Sequence, residues 1–213
     1  MMRSFRFSAL AATVSFVLCA AHAGAADPAA LHEARAALEA LSTRHSTAAS
    51  VSLAFESRAI GADGNPMPAV KGTLVTADSG RFRLTHAQGT VVCDGSTLWQ
   101  YFPSTRQVVI RSAAAAGGAG GVLPRFLQAR AVKAEKTGGA LRIVLDPASV
   151  GESLDSLVLT LTPGAEAVKL VETQDPAGNR VEYALTSLRY DARPGRAAFT
   201  FKIPAGAEVV DMR

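Results

Sequence analysis

The chain has 213 residues, 48% of them hydrophobic, with 22 Lys and Arg against 18 Asp and Glu and only two cysteines. That length and hydrophobic content suit one domain with a sizeable core. The cysteine count leaves no disulfide framework or cysteine-pair metal site, and no Lys/Arg cluster faces an aromatic ladder, so a nucleic-acid footprint has no support.

The first 26 residues read as an export leader. Arg3 and Arg6 form a basic n-region, Phe7 to Ala21 is apolar or small, and Ala21-His22-Ala23 supplies a small–x–small cleavage pattern. The run is too short to read as a membrane span. Cleavage is expected after Ala23, with a cut as late as Ala26 as the alternative, leaving residues 24–213 as a single exported domain. Lipidation at Cys19 would need a small residue before it, and Leu18 stands there. Without the leader the balance is 20 basic against 18 acidic residues, a net charge of +2. Cys93 is then the one remaining cysteine, so stability has to come from burial.

Residues 28–42, PAALHEARAALEALS, place Leu31, Ala34, Leu38 and Leu41 at helical spacing. Pro28 falls in the first turn, where a missing N–H costs little. This predicts an amphipathic helix that needs an apolar surface to lie on. From about residue 48 the period changes to two, with Val51, Leu53 and Phe55 alternating against Ser50, Ser52 and Glu56. The runs VKGTLVTA, RFRLTH, TVVCD, TLWQYF and RQVVIR follow, with turn residues such as Asp-Gly between them. Then come LRIVLD, SLVLTLT, AVKLVETQ, RVEYALTSLRY and AAFTFKI. About eleven strands in an antiparallel meander are expected, too many to stay flat, so the sheet should curl into an incomplete barrel. The fold class is mainly β, with α-helical additions. Between RQVVIR and LRIVLD the small-residue run at 113–121 leads into VLPRFLQAR, which predicts a short helix with Val122, Leu123, Phe126 and Leu127 on one face.

Catalytic readings fare poorly. Cys93 needs a base within reach, and His86 lies on a strand with no evident Asn or Asp orienter. His22, His32, His45 and His86 show no metal spacing, and Asp78, Asp94, Asp146, Asp155, Asp175 and Asp191 sit where Asp forms turns. The glycines at 117–121 lack the Lys-Ser/Thr of a phosphate loop, so a hinge is the simpler reading. No enzyme, cofactor or metal is expected. What remains is a curled sheet covered by two short helices, whose concave face is either a packed core or an apolar ligand pocket.

Five stretches in register resemble the periplasmic outer-membrane lipoprotein carrier family, the LolA-like proteins. They are GRFRL at 80–84, CDGSTLWQYFP at 93–103, RQVVIR at 106–111, DPAGNRVEYAL at 175–185 and FTFKIPAGAEVVD at 199–211. The resemblance implies an incomplete antiparallel barrel with a helical lid over a hydrophobic cavity. It also implies a periplasmic location, a monomer, and acylated lipoprotein or lipid as cargo. The implied partners are an inner-membrane release complex and an outer-membrane receptor. Phe82 stands at the family's pocket phenylalanine, Trp99 and Tyr101 at its Leu-Trp-x-Tyr positions, and Pro124 with Leu127 on its lid helix. The lipid-contacting set expected from pattern and resemblance together is Phe55, Phe82, Leu84, Trp99, Tyr101, Leu123, Phe126, Leu127, Phe199 and Phe201.

Two positions depart from the family. Asp78 and Ser79 stand where the family keeps an arginine and a proline, the arginine holding the lid, and Leu84 replaces a tryptophan. They favour, as an alternative, a paralogue carrying another acylated lipid or amphiphile beside a lipid exporter. A lipoprotein-sensing regulator of similar fold is a further alternative, and it would be expected to bring an additional domain.

Overall fold

A computed structural model describes residues 27–114 and 122–213. The leader, with Cys19 and the expected cleavage sites, lies outside the described residues, as does most of the glycine-rich run.

Helix α1 (Pro28–Thr47) starts where the Asp27 carboxylate accepts a 2.9 Å hydrogen bond from the Ala29 N–H, satisfying one orphan donor of the first turn. Its buried stripe is Ala30, Ala34, Leu38 and Leu41. The helix outruns the expected 28–42 span, and Ala30 rather than Leu31 leads its buried face.

Among the described residues twelve strands follow: β1 (Ser50–Ile60), β2 (Val70–Ala77), β3 (Phe82–His86), β4 (Gly89–Cys93), β5 (Thr97–Phe102) and β6 (Gln107–Ser112), then β7 (Arg130–Thr137), β8 (Ala140–Asp146), β9 (Ser156–Leu161), β10 (Val168–Gln174), β11 (Arg180–Tyr190) and β12 (Glu208–Asp211). Helix α2 (Val122–Leu127) precedes β7. All twelve strands form one sheet in the order β12-β6-β5-β4-β3-β2-β1-β11-β10-β9-β8-β7. The end strands β12 and β7 do not pair, so the curled sheet stays open as expected.

The strand count differs from eleven for physical reasons. Strand β7 places only Ala131 and Ala134 at its buried positions, and a register shift between Ala131 and Lys133 breaks its alternation. Its sequence therefore reads as polar. AAFTFKI is not a strand: Arg196–Phe199 forms a 3-10 turn, and the residues after it run unpaired to β12. Strand β12 pairs parallel to β6, Glu208 against Gln107 through Asp211 against Ile110, and the non-sequential β1–β11 pair joins two antiparallel meanders, β1–β6 and β7–β11.

The turn before β5 shows how local chemistry fixes register. The Asp94 carboxylate accepts from the Ser96 and Thr97 N–H groups at 2.9 and 2.8 Å. Gly95 has φ +102°, and a Cβ there would stand 2.8 Å from the Ser79 carbonyl oxygen. Only glycine fits that turn.

Candidate lipid-binding face

Side chains paired across a ladder share a face of the sheet. One row runs Leu188, Leu53, Leu74, Leu84, Val91, Gln100, Val109 and Val210, from β11 to β12. A second runs Val51, Thr76, Phe82, Cys93, Leu98 and Arg111. A third runs Leu185, Phe55, Gly72, His86 and Gly89. Leu53 belongs to the main core, so all three rows lie on the concave, inner face.

The two halves of that face differ in what fills them. On β7–β11 the inner face packs under α1 and α2, with Ile143, Leu157, Leu159 and Leu161 fully buried. From β2 to β6 a smaller cluster of Phe82, Cys93 and Leu98 is buried, while Leu74, Leu84, Val91 and Val109 along the middle row are only half-buried. An apolar strip thus crosses the sheet from the main core to the β12 edge.

The expected site residues fall into three places. Phe55, Phe82 and Leu84 lie on the inner face. Leu123, Phe126 and Leu127 of α2 are buried in the main core beside α1. Trp99 and Tyr101 share a face, as their spacing requires, but it is the outer one: they pair with Val92 and Thr90, one register position away from the Gln100 row. Phe201 covers them there, its ring 6.3 Å from Trp99 and 6.4 Å from Tyr101. Arg83 anchors the covering segment, donating from Nε to the Ala198 carbonyl at 2.6 Å and from Nη2 to that of Thr200 at 2.8 Å. The Arg81 guanidinium sits 5.2 Å over the Phe199 ring. The structure therefore groups Trp99, Tyr101, Phe199 and Phe201 away from the concavity. The sequence reading missed Leu74, Val91, Val109, Val210 and Gln100, which the period-two phase of Leu84 carries across once the strand register is known.

Two cavities lie along the sheet. One of about 490 Å³ lies over β1, β2 and the β3–β4 turn, lined by Ala54, Glu56, Lys71, Thr73, Thr85 and Ala87 of the outer-face register together with Phe55, Gly72 and His86 of the inner one. Another of about 410 Å³ lies between α1 and the α2–β7 junction, lined by Leu38, Leu127, Ala129 and Ala131, with Arg35 and Arg130 among its polar residues. Helix α2 is tied down near it. The Arg125 Nη2 stands 2.9 Å from the buried Glu152 Oε1, close enough for an ion pair though off the line of a hydrogen bond. Asp78, by contrast, pairs with Arg81 inside the β2–β3 turn and does not reach α2.

Chemistry for catalysis is not assembled around the thiol. The register puts Phe82 across from Cys93 and Gly89 across from His86. Cys93 is free and buried, and the His86 Nδ1 accepts from the Gln88 N–H at 3.3 Å. Among the described residues no three His, Cys, Asp or Glu gather as a metal site, and no helix is long and apolar enough to cross a membrane.

The model of the family described as outer membrane lipoprotein carrier protein LolA matches residues 46–202. The chain belongs to this LolA family. The match spans β1 to β11 and the covering segment as far as Lys202. An outer-membrane lipoprotein carrier protein of Azotobacter vinelandii is 25% identical over 165 residues, 73% of this chain and 79% of that protein. One from Methylobacillus flagellatus is 27% identical over 161 residues, 70% of this chain and 76% of the relative. In fold, the chain resembles an uncharacterized conserved protein from Thermus thermophilus. That likeness has TM-score 0.54 at 12% identity and covers 84% of this chain and 99% of the other.

Proposed function

We propose that this LolA-family protein is a periplasmic, monomeric carrier that binds the acyl chains of lipoproteins. It takes them from an inner-membrane release complex and passes them to an outer-membrane receptor. The observation that carries this reading is the half-buried apolar strip Leu74, Leu84, Val91 and Val109, which continues a packed core into a part of the sheet that α1 and α2 leave uncovered. Each methylene buried there contributes about 0.8 kcal/mol, enough for a long chain to bind and weak enough per contact to be released. No chemical step is required. A leader cut after Ala23 would deliver the protein across the inner membrane, and the periplasmic form should then begin at Gly24.

The test is mass spectrometry of the protein purified from periplasm under native conditions, together with displacement of an acyl-chain fluorophore. Co-purifying acylated cargo and saturable fluorophore binding are expected. A lipid-free protein that binds no fluorophore would sink the reading. Replacing Cys93 with serine should leave transfer of cargo intact in folded protein, and loss of transfer at full folding would point instead to thiol chemistry.

A specialised cargo is the second reading. It is favoured by the β2–β3 turn, where Asp78 is engaged with Arg81 in the place of the family's lid-holding arginine, while Arg125 and Glu152 hold α2 from the other side. Identification of the bound lipid separates the two.

A further inference from the structure

Gln100 is the polar break in an otherwise apolar row. Val91 and Val109 flank it on the neighbouring strands, and Leu98 and Phe102 share its face along β5. Its side chain is half-buried, and among the described residues its amide makes no hydrogen bond within the protein. While the face is empty, water can satisfy that amide. Once a hydrocarbon chain covers the strip, the water leaves and an unpaired amide becomes unfavourable. A ligand made only of methylenes therefore binds against a penalty, whereas one with a carbonyl at that depth accepts from the Gln100 Nε2–H.

The position fits such a linkage. Along the sheet, Leu53 on β1 lies four strands from Gln100 on β5, about 19 Å at ~4.8 Å per strand. The row between them is Leu74, Leu84 and Val91, a track in the length class of a palmitoyl tail. On the other side, the inner face of β6 offers Gln107 and Arg111 around Val109, a polar rim suited to a headgroup. We infer that Gln100 is a specificity-determining residue that hydrogen-bonds the ester or amide carbonyl of an acyl cargo, with the tail directed toward Leu53 and the headgroup toward the β6–β12 edge. This rests on the carrier reading and adds to it the class of linkage recognised.

The experiment compares two amphiphiles of equal length, monopalmitoylglycerol and its ether analogue hexadecylglycerol, as competitors of an acyl-chain fluorophore on the full chain. The wild type should prefer the ester by roughly tenfold, the scale of one hydrogen bond whose loss leaves a donor unpaired. Gln100→Met, which keeps the length and removes the amide, should abolish the preference and bind the ether at least as well as the wild type does. Gln100→Leu serves in its place if the methionine variant misfolds. Equal wild-type affinity for ester and ether, or a preference that survives both substitutions, overturns the assignment and leaves the carrier reading standing. If neither amphiphile competes, the carrier reading falls and this inference falls with it.

Discussion

Arg125 on α2 and Glu152 in the β8–β9 connection face each other at 2.9 Å, and the Glu152 oxygen is buried while the arginine is largely exposed. The pair fixes the one helix whose buried residues, Leu123, Phe126 and Leu127, close over the main core near a cavity of about 410 Å³. Arg125→Ala leaves the carboxylate without its cation and should destabilise the protein by about 1 kcal/mol, more than Glu152→Gln does. A double-mutant cycle by urea unfolding should return a coupling of about 0.5–1 kcal/mol. Both single variants should exchange a bound acyl fluorophore faster than the wild type. Zero coupling together with unchanged exchange would mean that the pair does not hold the helix.

Gly72 and Phe55 are locked to each other by space. A Cβ on Gly72 would run into the Phe55 ring and stand 3.0 Å from the Thr85 carbonyl oxygen. The ring can swing aside, but the β3 backbone cannot move as cheaply. Gly72→Ala should therefore cost about 1–3 kcal/mol by strain and, by displacing the Phe55 ring on the inner face, alter acyl binding there. A variant as stable as the wild type in urea would show that the face is looser than the packing implies.

Much of this architecture was legible in the sequence because each strand buries one face and period-two alternation records it. Ten of the eleven expected runs are strands. The failures have local causes. Strand β7 buries alanines rather than large residues and carries a bulge, and Phe199 and Phe201 alternate like strand residues while covering the outer face without ladder partners. The site was half legible for a related reason. Alternation shows that Trp99 and Tyr101 share a face and that Phe82 and Leu84 share one. Which faces coincide depends on register between strands, and the Asp94-Gly95 turn sets Trp99 opposite Val92 rather than opposite Val91. Trp99 and Tyr101 thus face outward, and the quiet residue between them, Gln100, faces the concavity with Leu98 and Phe102.

His45 supplies the pH prediction. Its ring stands 6.1 Å from that of Tyr190 in an edge-on arrangement, its Nδ1 is buried without a partner, and burial lowers its pKa from 6.5. A histidine depressed in the fold binds its proton more readily when unfolded, so stability is complete above pH 6.5 and falls as pH drops below it toward the folded-state value. Urea midpoints should decline between pH 7 and 5 (about one unit either side of the ordinary histidine value). His45→Phe, which keeps an aromatic ring against Tyr190, should flatten that decline. An equally steep decline in the variant would assign the effect to other groups.

The inner and outer aromatic groups give the sharpest separation of stability from binding. Trp99→Ala removes a ring stacked on Phe201 beside its buried ladder partners Val92 and Ile110, and a loss of about 2–4 kcal/mol is expected for a large, partly buried aromatic. Because that ring faces away from the concavity, acyl affinity per folded molecule should stay within twofold of the wild type. Leu84→Ser does the reverse: the side chain is only half-buried, so the stability cost should be smaller, about 1–2 kcal/mol. Acyl affinity should nonetheless fall by roughly tenfold, since a polar group interrupts the strip and apolar contact with the chain is lost. Circular dichroism in urea and fluorophore titration on the same samples read both quantities. Should Trp99→Ala weaken binding at full folding while Leu84→Ser leaves it unchanged, the ligand lies on the outer face and the assignment of the two faces must be exchanged.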